Sequence, residues 1–124
     1  MYSNQFKSYQ TSNIGTADRG KLVIMIYDHV LKWGRSAIEA IQANNIENRT
    51  KAVFKMQDGI TELICSLDFE KGGEIATNLD SLYAYSQKAM LKAVGKSDTE
   101  HLNAVSDIIK ELSSAWDEIK PITR

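Results

Sequence analysis

Along most of the chain the apolar residues recur every three or four positions, which is the helical period and not the alternation of strands. The spacing predicts a first helix over residues 18–43, with Val23, Ile26, Val30, Trp33, Ala37 and Ile41 on one stripe and Asp18 as its N-cap. A second, over 46–70, repeats Val53, Met56, Ile60, Leu63 and Leu67. A third, over 73–94, carries Ile75, Leu79, Leu82 and Met90, with Tyr83 and Tyr85 beside them. A fourth, over 97–120, follows Leu102, Val105, Ile109, Leu112, Trp116 and Ile119.

The joints between these stripes are short and have the right chemistry. Asn44-Asn45 favours caps and turns over helix interiors. Gly72-Gly73 separates the second stripe from the third, and Gly95 supplies a C-terminal stop. Ser97 and Glu100 form a Ser-x-x-Glu capping box, and the single proline, Pro121, comes after the last stripe. Short joints make successive helices antiparallel, so the expected fold is all-α: an antiparallel up-and-down four-helix bundle of helices roughly 35 Å long. Residues 1–17 are expected to form a short mobile N-terminal segment of a single domain spanning 1–124.

Composition narrows the class. Hydrophobic residues at 43% and charged residues at 25% are those of an ordinary globular chain. A formal net charge of -1 leaves no basic surplus for neutralising phosphates, so nucleic acid is not expected as a partner. The longest apolar run, Leu22 to Tyr27, is far short of the about 20 residues a membrane span needs, and no membrane insertion is expected. The polar first seventeen residues lack the apolar stretch of a secretory signal. A cytoplasmic, reduced protein is the expectation.

Candidate chemistry is sparse. The single cysteine, Cys65, follows Leu63-Ile64 on an apolar helix and reads as a buried, inert thiol. Two histidines, His29 and His101, are too few for a zinc site, and Ile26 and Asp98 stand where a di-iron bundle needs glutamates. Gly72-Gly73 lacks the Lys-Ser/Thr flank of a phosphate loop. The run from His29 to Gly34 is similar to the His-x-x-Lys-Gly core of histidine phosphotransfer domains, with His29 as phosphoryl acceptor and Lys32 one turn on, although Trp33 stands where that family has a small residue. The simpler reading, a helix-surface histidine, is preferred. No enzyme activity, cofactor or metal is expected.

The informative anomaly is Leu22-Val23-Ile24-Met25-Ile26-Tyr27, which is apolar all round the helix. A bundle interior covers a stripe of roughly 100° or somewhat more, so several of these side chains are expected to face away from the core. The N-terminal segment, with Phe6 and Tyr9 one turn apart, could cover them permanently, or the cover could be removable and give way to an amphipathic segment of a partner. Tyr83 and Tyr85 are two positions apart, so at least one should reach the surface.

Two stretches resemble the FliS family, the flagellar export chaperones of flagellin. Thr16 to Asp28 is similar to the family's opening helix, T-A-x-x-x-K-L-hydrophobic-M-L-Y-D. Ser66-Leu67-Asp68, then Glu70-Lys71-Gly72-Gly73-Glu74-Ile75-Ala76-Thr77-Asn78-Leu79, then Leu82-Tyr83 and Tyr85, make a longer and more specific string. Tyr9-Gln10 and Ala115-Trp116 also fit. Arg19 stands where many members have proline, and His29 where a glycine is usual.

The resemblance implies a cytoplasmic bundle that binds the disordered C-terminal segment of newly made flagellin, prevents premature polymerisation and keeps the subunit ready for export. It implies a partner surface at Phe6, Tyr9, Leu22, Met25, Ile26, Tyr27, Asn78, Leu79, Leu82 and Tyr83, with Phe6 and Tyr9 as a lid that one piece of the tail displaces. The flagellar export gate and flagellar regulators are further candidate partners. An adaptor bundle for some other amphipathic helix is the remaining alternative.

Overall fold

The structure, a computed structural model, describes residues 16–96 and 98–116, with side chains from Lys21 onward. Four helices follow one another: α1, Thr16–Gln42; α2, Ile46–Cys65; α3, Phe69–Lys96; and α4, Glu100–Ser114. Helix α1 packs against α2 and α4, and α3 packs against the same two, so the helices form a ring in chain order. The fold is the antiparallel four-helix bundle that the apolar period predicts.

Each boundary has a local cause. Helix α1 ends in a Schellman motif: Asn44 takes a left-handed φ of 54°, the Asn45 N–H donates to the Ala40 carbonyl at 2.8 Å, and that of Asn44 to Ile41 at 3.1 Å. Asn45 then caps α2, its Oδ1 accepting from the Asn48 N–H at 3.0 Å. Helix α2 stops at Cys65, short of the predicted residue 70, because Ser66 folds back with its hydroxyl donating to the Leu63 carbonyl at 2.7 Å. Asp68 opens α3 four residues earlier than predicted, its Oδ1 accepting from Glu70 and Lys71 N–H at 3.1 and 3.0 Å.

The glycine pair marks a break in the helical course, as the joint predicts: Gly73 sits at φ 50°, ψ -122°, a non-helical conformation at which a short opening turn and the long helix of α3 meet. Gly95 lies inside α3, which runs to Lys96. Helix α1 begins at Thr16, so Asp18 lies within its first turn and is not its N-cap. Helix α4 begins at Glu100 after Thr99, with Asp98 Oδ1 meeting the His101 N–H at 3.4 Å and its Nδ1 at 3.0 Å; Ser97 and residues 117–120 lie outside the described residues.

The core runs the length of the bundle, from Leu22, Leu67, Leu79 and Trp116 at one end to Ala37, Ala52 and Ala93 towards the other. Its midsection is closed by Val30, Met56, Ile60, Met90 and Val105.

Candidate functional site

Helix α1 absorbs most of its apolar run. Leu22, Val23, Ile26 and Tyr27 are buried, Ile24 is half-buried, and only Met25, 44% exposed, reaches solvent. At about 100° per residue, Leu22, Ile26, Val30, Val23 and Tyr27 fan across an arc of about 140°. A helix with a neighbour on each flank covers an arc that wide, which is why the expectation of several outward side chains is not met.

The deepest polar feature is at this end. The Tyr27 and Tyr83 hydroxyls lie 2.9 Å apart, joining α1 to α3 across the diagonal of the bundle. Trp116, just beyond the end of α4, meets the Tyr27 ring edge-on, with centroids 6.0 Å apart and planes at 86°. Burial pushes the Tyr27 hydroxyl up to about 12, with the bond to Tyr83 partly opposing it. Burial raises Tyr83 as well, and the bond to Tyr27 adds to the rise. Both phenols stay neutral at physiological pH.

His29 is not the surface histidine expected from the sequence. It is 8% exposed, and its Nε2–H donates to the Lys55 carbonyl at 2.7 Å, fastening α1 to α2. Gly59 makes room for this approach: a Cβ there would lie 2.7 Å from Val30 Cγ2 and 3.0 Å from His29 Cδ2. Burial lowers the His29 pKa, and the hydrogen bond to Lys55 opposes the shift. A phosphoryl acceptor needs a ring nitrogen open to a donor, and this one is occupied by backbone. Cys65 also departs from expectation and is exposed, because it lies two positions, about 200°, from buried Leu63.

A cleft of about 410 Å³ lies between the upper parts of α1 and α2, lined by Trp33, Ser36, Glu39, Asn48 and Lys51 among others. No group of three or more potential metal ligands converges among the described residues. Among them, no helix is long and apolar enough to cross a membrane.

The expected partner residues divide into two layers. Leu22, Ile26, Tyr27, Leu79 and Tyr83 are buried in the core; Met25, Asn78 and Leu82 are exposed; Phe6 and Tyr9 lie outside the described residues. Two further exposed apolar side chains of the same region were not in that set: Tyr85, which reaches the surface as its two-residue offset from buried Tyr83 predicts, and Ile75, which the period placed on a core stripe. Ile75 and Tyr85 share one side of α3 with Asn78 and Leu82, all four within about 80° of arc. The steps of three, four and three residues from Ile75 to Tyr85 were the available signal. They read as a core stripe because Leu79 and Tyr83, one position further round, do face inward.

The profile of the family described as flagellar protein FliS matches residues 2–123. The chain belongs to the FliS family of flagellar secretion chaperones. It is 34% identical to the flagellar secretion chaperone FliS of Vibrio cholerae, over 89% of this chain and 81% of the relative. The corresponding protein of Campylobacter jejuni is 32% identical over 92% of this chain and 89% of its own length. That of Bacillus subtilis is 29% identical over 91% and 84%. In this FliS-family bundle the surface stripe of apolar side chains on α3 is the feature to explain.

Proposed function

We propose that this chain is a cytoplasmic export chaperone that binds the disordered C-terminal segment of flagellin, prevents its premature polymerisation and hands it to the flagellar export gate. The observation that carries this reading is the stripe Ile75, Asn78, Leu82 and Tyr85, which remains in water although the inward face of the same helix is closed. A soluble bundle gains nothing in folding from large apolar side chains left in solvent, whereas an incoming segment with apolar residues at helical spacing buries them.

The buried members of the partner set then act from beneath. Leu79 and Tyr83 fix the angle of α3, and Tyr27 fixes Tyr83, so Leu82 and Tyr85 are offered on a rigid support. An unstructured tail loses conformational entropy when it docks, which typically costs about 2–5 kcal/mol or more of the gross interaction energy. Apolar burial over a long path exceeds that cost, and release can proceed piece by piece.

Met25 is an exposed apolar side chain of α1, and on this reading the proposed lid of Phe6 and Tyr9 would act there in the unloaded protein. Calorimetric titration with a flagellin C-terminal peptide tests the lid directly. Replacing Phe6 and Tyr9 with Ala is expected to leave helicity intact and change the tail affinity. Unchanged affinity with intact helicity removes the lid from the mechanism.

A further inference from the structure

The chain carries 15 Lys+Arg against 16 Asp+Glu, but the two signs are not evenly spread. Residues 48–57 of α2 hold Arg49, Lys51 and Lys55 and no acid, and residues 87–96 of α3 hold Lys88, Lys92 and Lys96 and no acid. These two stretches lie side by side. The Gln57 side chain donates to the Gln87 carbonyl at 3.1 Å, and the Gln87 side chain to Thr61 Oγ1 at 3.3 Å. Those bonds set an antiparallel register in which the start of one stretch is level with the end of the other. The upper half of the α2–α3 face is therefore basic in a chain of net charge -1. On α2 the sign changes at Glu47 above and Asp58 below.

Two large apolar side chains stand in the middle of that charge. Phe54 on α2 and Leu91 on α3 are each 63% exposed, and the Gln57–Gln87 register puts them level to within about a residue. At about 100° per residue, exposed Lys51 lies beyond Phe54 on the outer flank of α2, and exposed Lys88 and Lys92 lie beyond Leu91 on that of α3. Lys88, Lys92 and Lys96 step by four residues, a row about 12 Å long. Arg49 and Lys55 are half-buried, the Lys55 Nζ lying 5.9 Å from the Trp33 ring, and add to the field without flanking the apolar pair. Leu91 is about 180° around α3 from Leu82, so this seat is distinct from the stripe that carries Ile75 and Leu82.

We infer that the upper α2–α3 face docks an acidic amphipathic helix of a partner protein, its apolar side chains on Phe54 and Leu91 and its carboxylates along Lys88, Lys92 and Lys96. Charge selects the occupant. Residues 1–17 hold Lys7 and no acid, and residues 117–124 hold two acids and two bases, so neither end of this chain supplies the complement. An anionic lipid surface shares the charge but is held by a broad apolar face. Two level apolar side chains with cations on both flanks make a seat one helix wide. The lysines are exposed, so they steer the partner in and discriminate against basic segments, and the complex weakens as salt screens them.

The probe is a synthetic amphipathic peptide of about 18 residues, long enough to hold helix in water, with Glu at four-residue spacing beside a Leu face. Its control carries Lys in place of every Glu. Fluorescence anisotropy with the full chain is expected to show the Glu peptide binding, the Lys peptide not binding, and a loss of affinity of more than tenfold between about 0.05 and about 0.5 M salt. The double reversal Lys88→Glu, Lys92→Glu should weaken Glu-peptide binding more than tenfold, as should Phe54→Ser, with circular dichroism unchanged. The double reversal should also gain affinity for the Lys peptide, which a structural defect would not produce. No binding of the Glu peptide, or equal binding of both peptides, overturns the inference. So does Glu-peptide binding that Leu82→Ala, Tyr85→Ala abolishes and the lysine reversal spares, because the peptide is then on the tail's stripe. Flagellin-peptide titrations of the same variants keep the chaperone reading separate. Phosphatidylglycerol vesicles bound in place of the peptide would assign the face to a membrane, and a sedimenting dimer that excludes the peptide would assign it to a second copy; either result sinks the inference.

Discussion

The hydroxyls of Tyr27 and Tyr83 meet 2.9 Å apart in the closed end of the bundle, a side-chain hydrogen bond that ties α1 to α3. Neither helix packs chiefly against the other, so this bond and the Trp116 ring on Tyr27 hold the diagonal. The helix that presents Leu82 and Tyr85 is oriented through it.

Tyr27→Phe or Tyr83→Phe is expected to destabilise the bundle by about 1–3 kcal/mol, because each leaves the other hydroxyl buried and unpaired. The double replacement removes both polar groups and should cost less than the two singles combined. Urea unfolding of the four proteins checks the cycle. Strictly additive losses would show that the two hydroxyls are not coupled.

The same pair sets an alkaline limit. Tyr27 has a raised pKa of about 12 against an ordinary 10, so the unfolded chain releases its proton first as pH rises. Stability from this group is complete below about pH 10 and is lost as pH climbs towards 12. Tyrosinate absorbance and helicity followed together should change in one step in that window, and Tyr27→Phe should lose part of the dependence.

His29 acts in the opposite direction. Its pKa is lowered by burial, so below the ordinary histidine pKa of about 6.5 the unfolded chain binds the proton more readily, and stability falls as pH drops from 7 towards 5. His29→Gln keeps a donor for the Lys55 carbonyl without a titrating group and should flatten that slope. A slope unchanged in the variant would assign it elsewhere.

Gly59 and Gly73 separate crowding from backbone strain. Gly59→Ala drives a Cβ to 2.7 Å from Val30 Cγ2, and the resulting overpacking, about 1–3 kcal/mol, outweighs the gain of about 1 kcal/mol in helix propensity. At Gly73 a Cβ would meet nothing within 4 Å, yet φ 50° and ψ -122° suit only glycine. Gly73→Ala should cost about 1–3 kcal/mol through the backbone alone, and thermal melts of both variants measure the difference.

The fold was legible because period and joint chemistry agree. The Val23–Ile41, Val53–Leu67 and Leu102–Trp116 stripes all face inward in whole or large part, and Asn44-Asn45 is both the stop of one helix and the cap of the next. The site was harder to read, for a geometric reason. Periodicity gives the direction of a face, not the width of the arc that two flanking helices cover. Leu22 and Tyr27 therefore looked like candidate surface and are core, Ile75 looked like core and is surface, and of the three residues given both on a stripe and on the partner surface, Ile26 and Leu79 face inward and Leu82 outward. His29 misled for a related reason: the room it occupies is made by Gly59, a residue thirty positions away on another helix.

The central claim is that the exposed stripe on α3 receives a foreign, unstructured polypeptide end. Titrating a flagellin C-terminal peptide into the purified protein, with heat and helicity followed together, measures this most directly when wild type is compared with the Leu82→Ala, Tyr85→Ala double variant. The account predicts binding with a gain in helicity, weakened at least tenfold in the variant while its melting temperature stays within a few degrees of wild type, because Leu82 and Tyr85 are 37% and 51% exposed. No detectable binding, or equal affinity in both proteins, would contradict it.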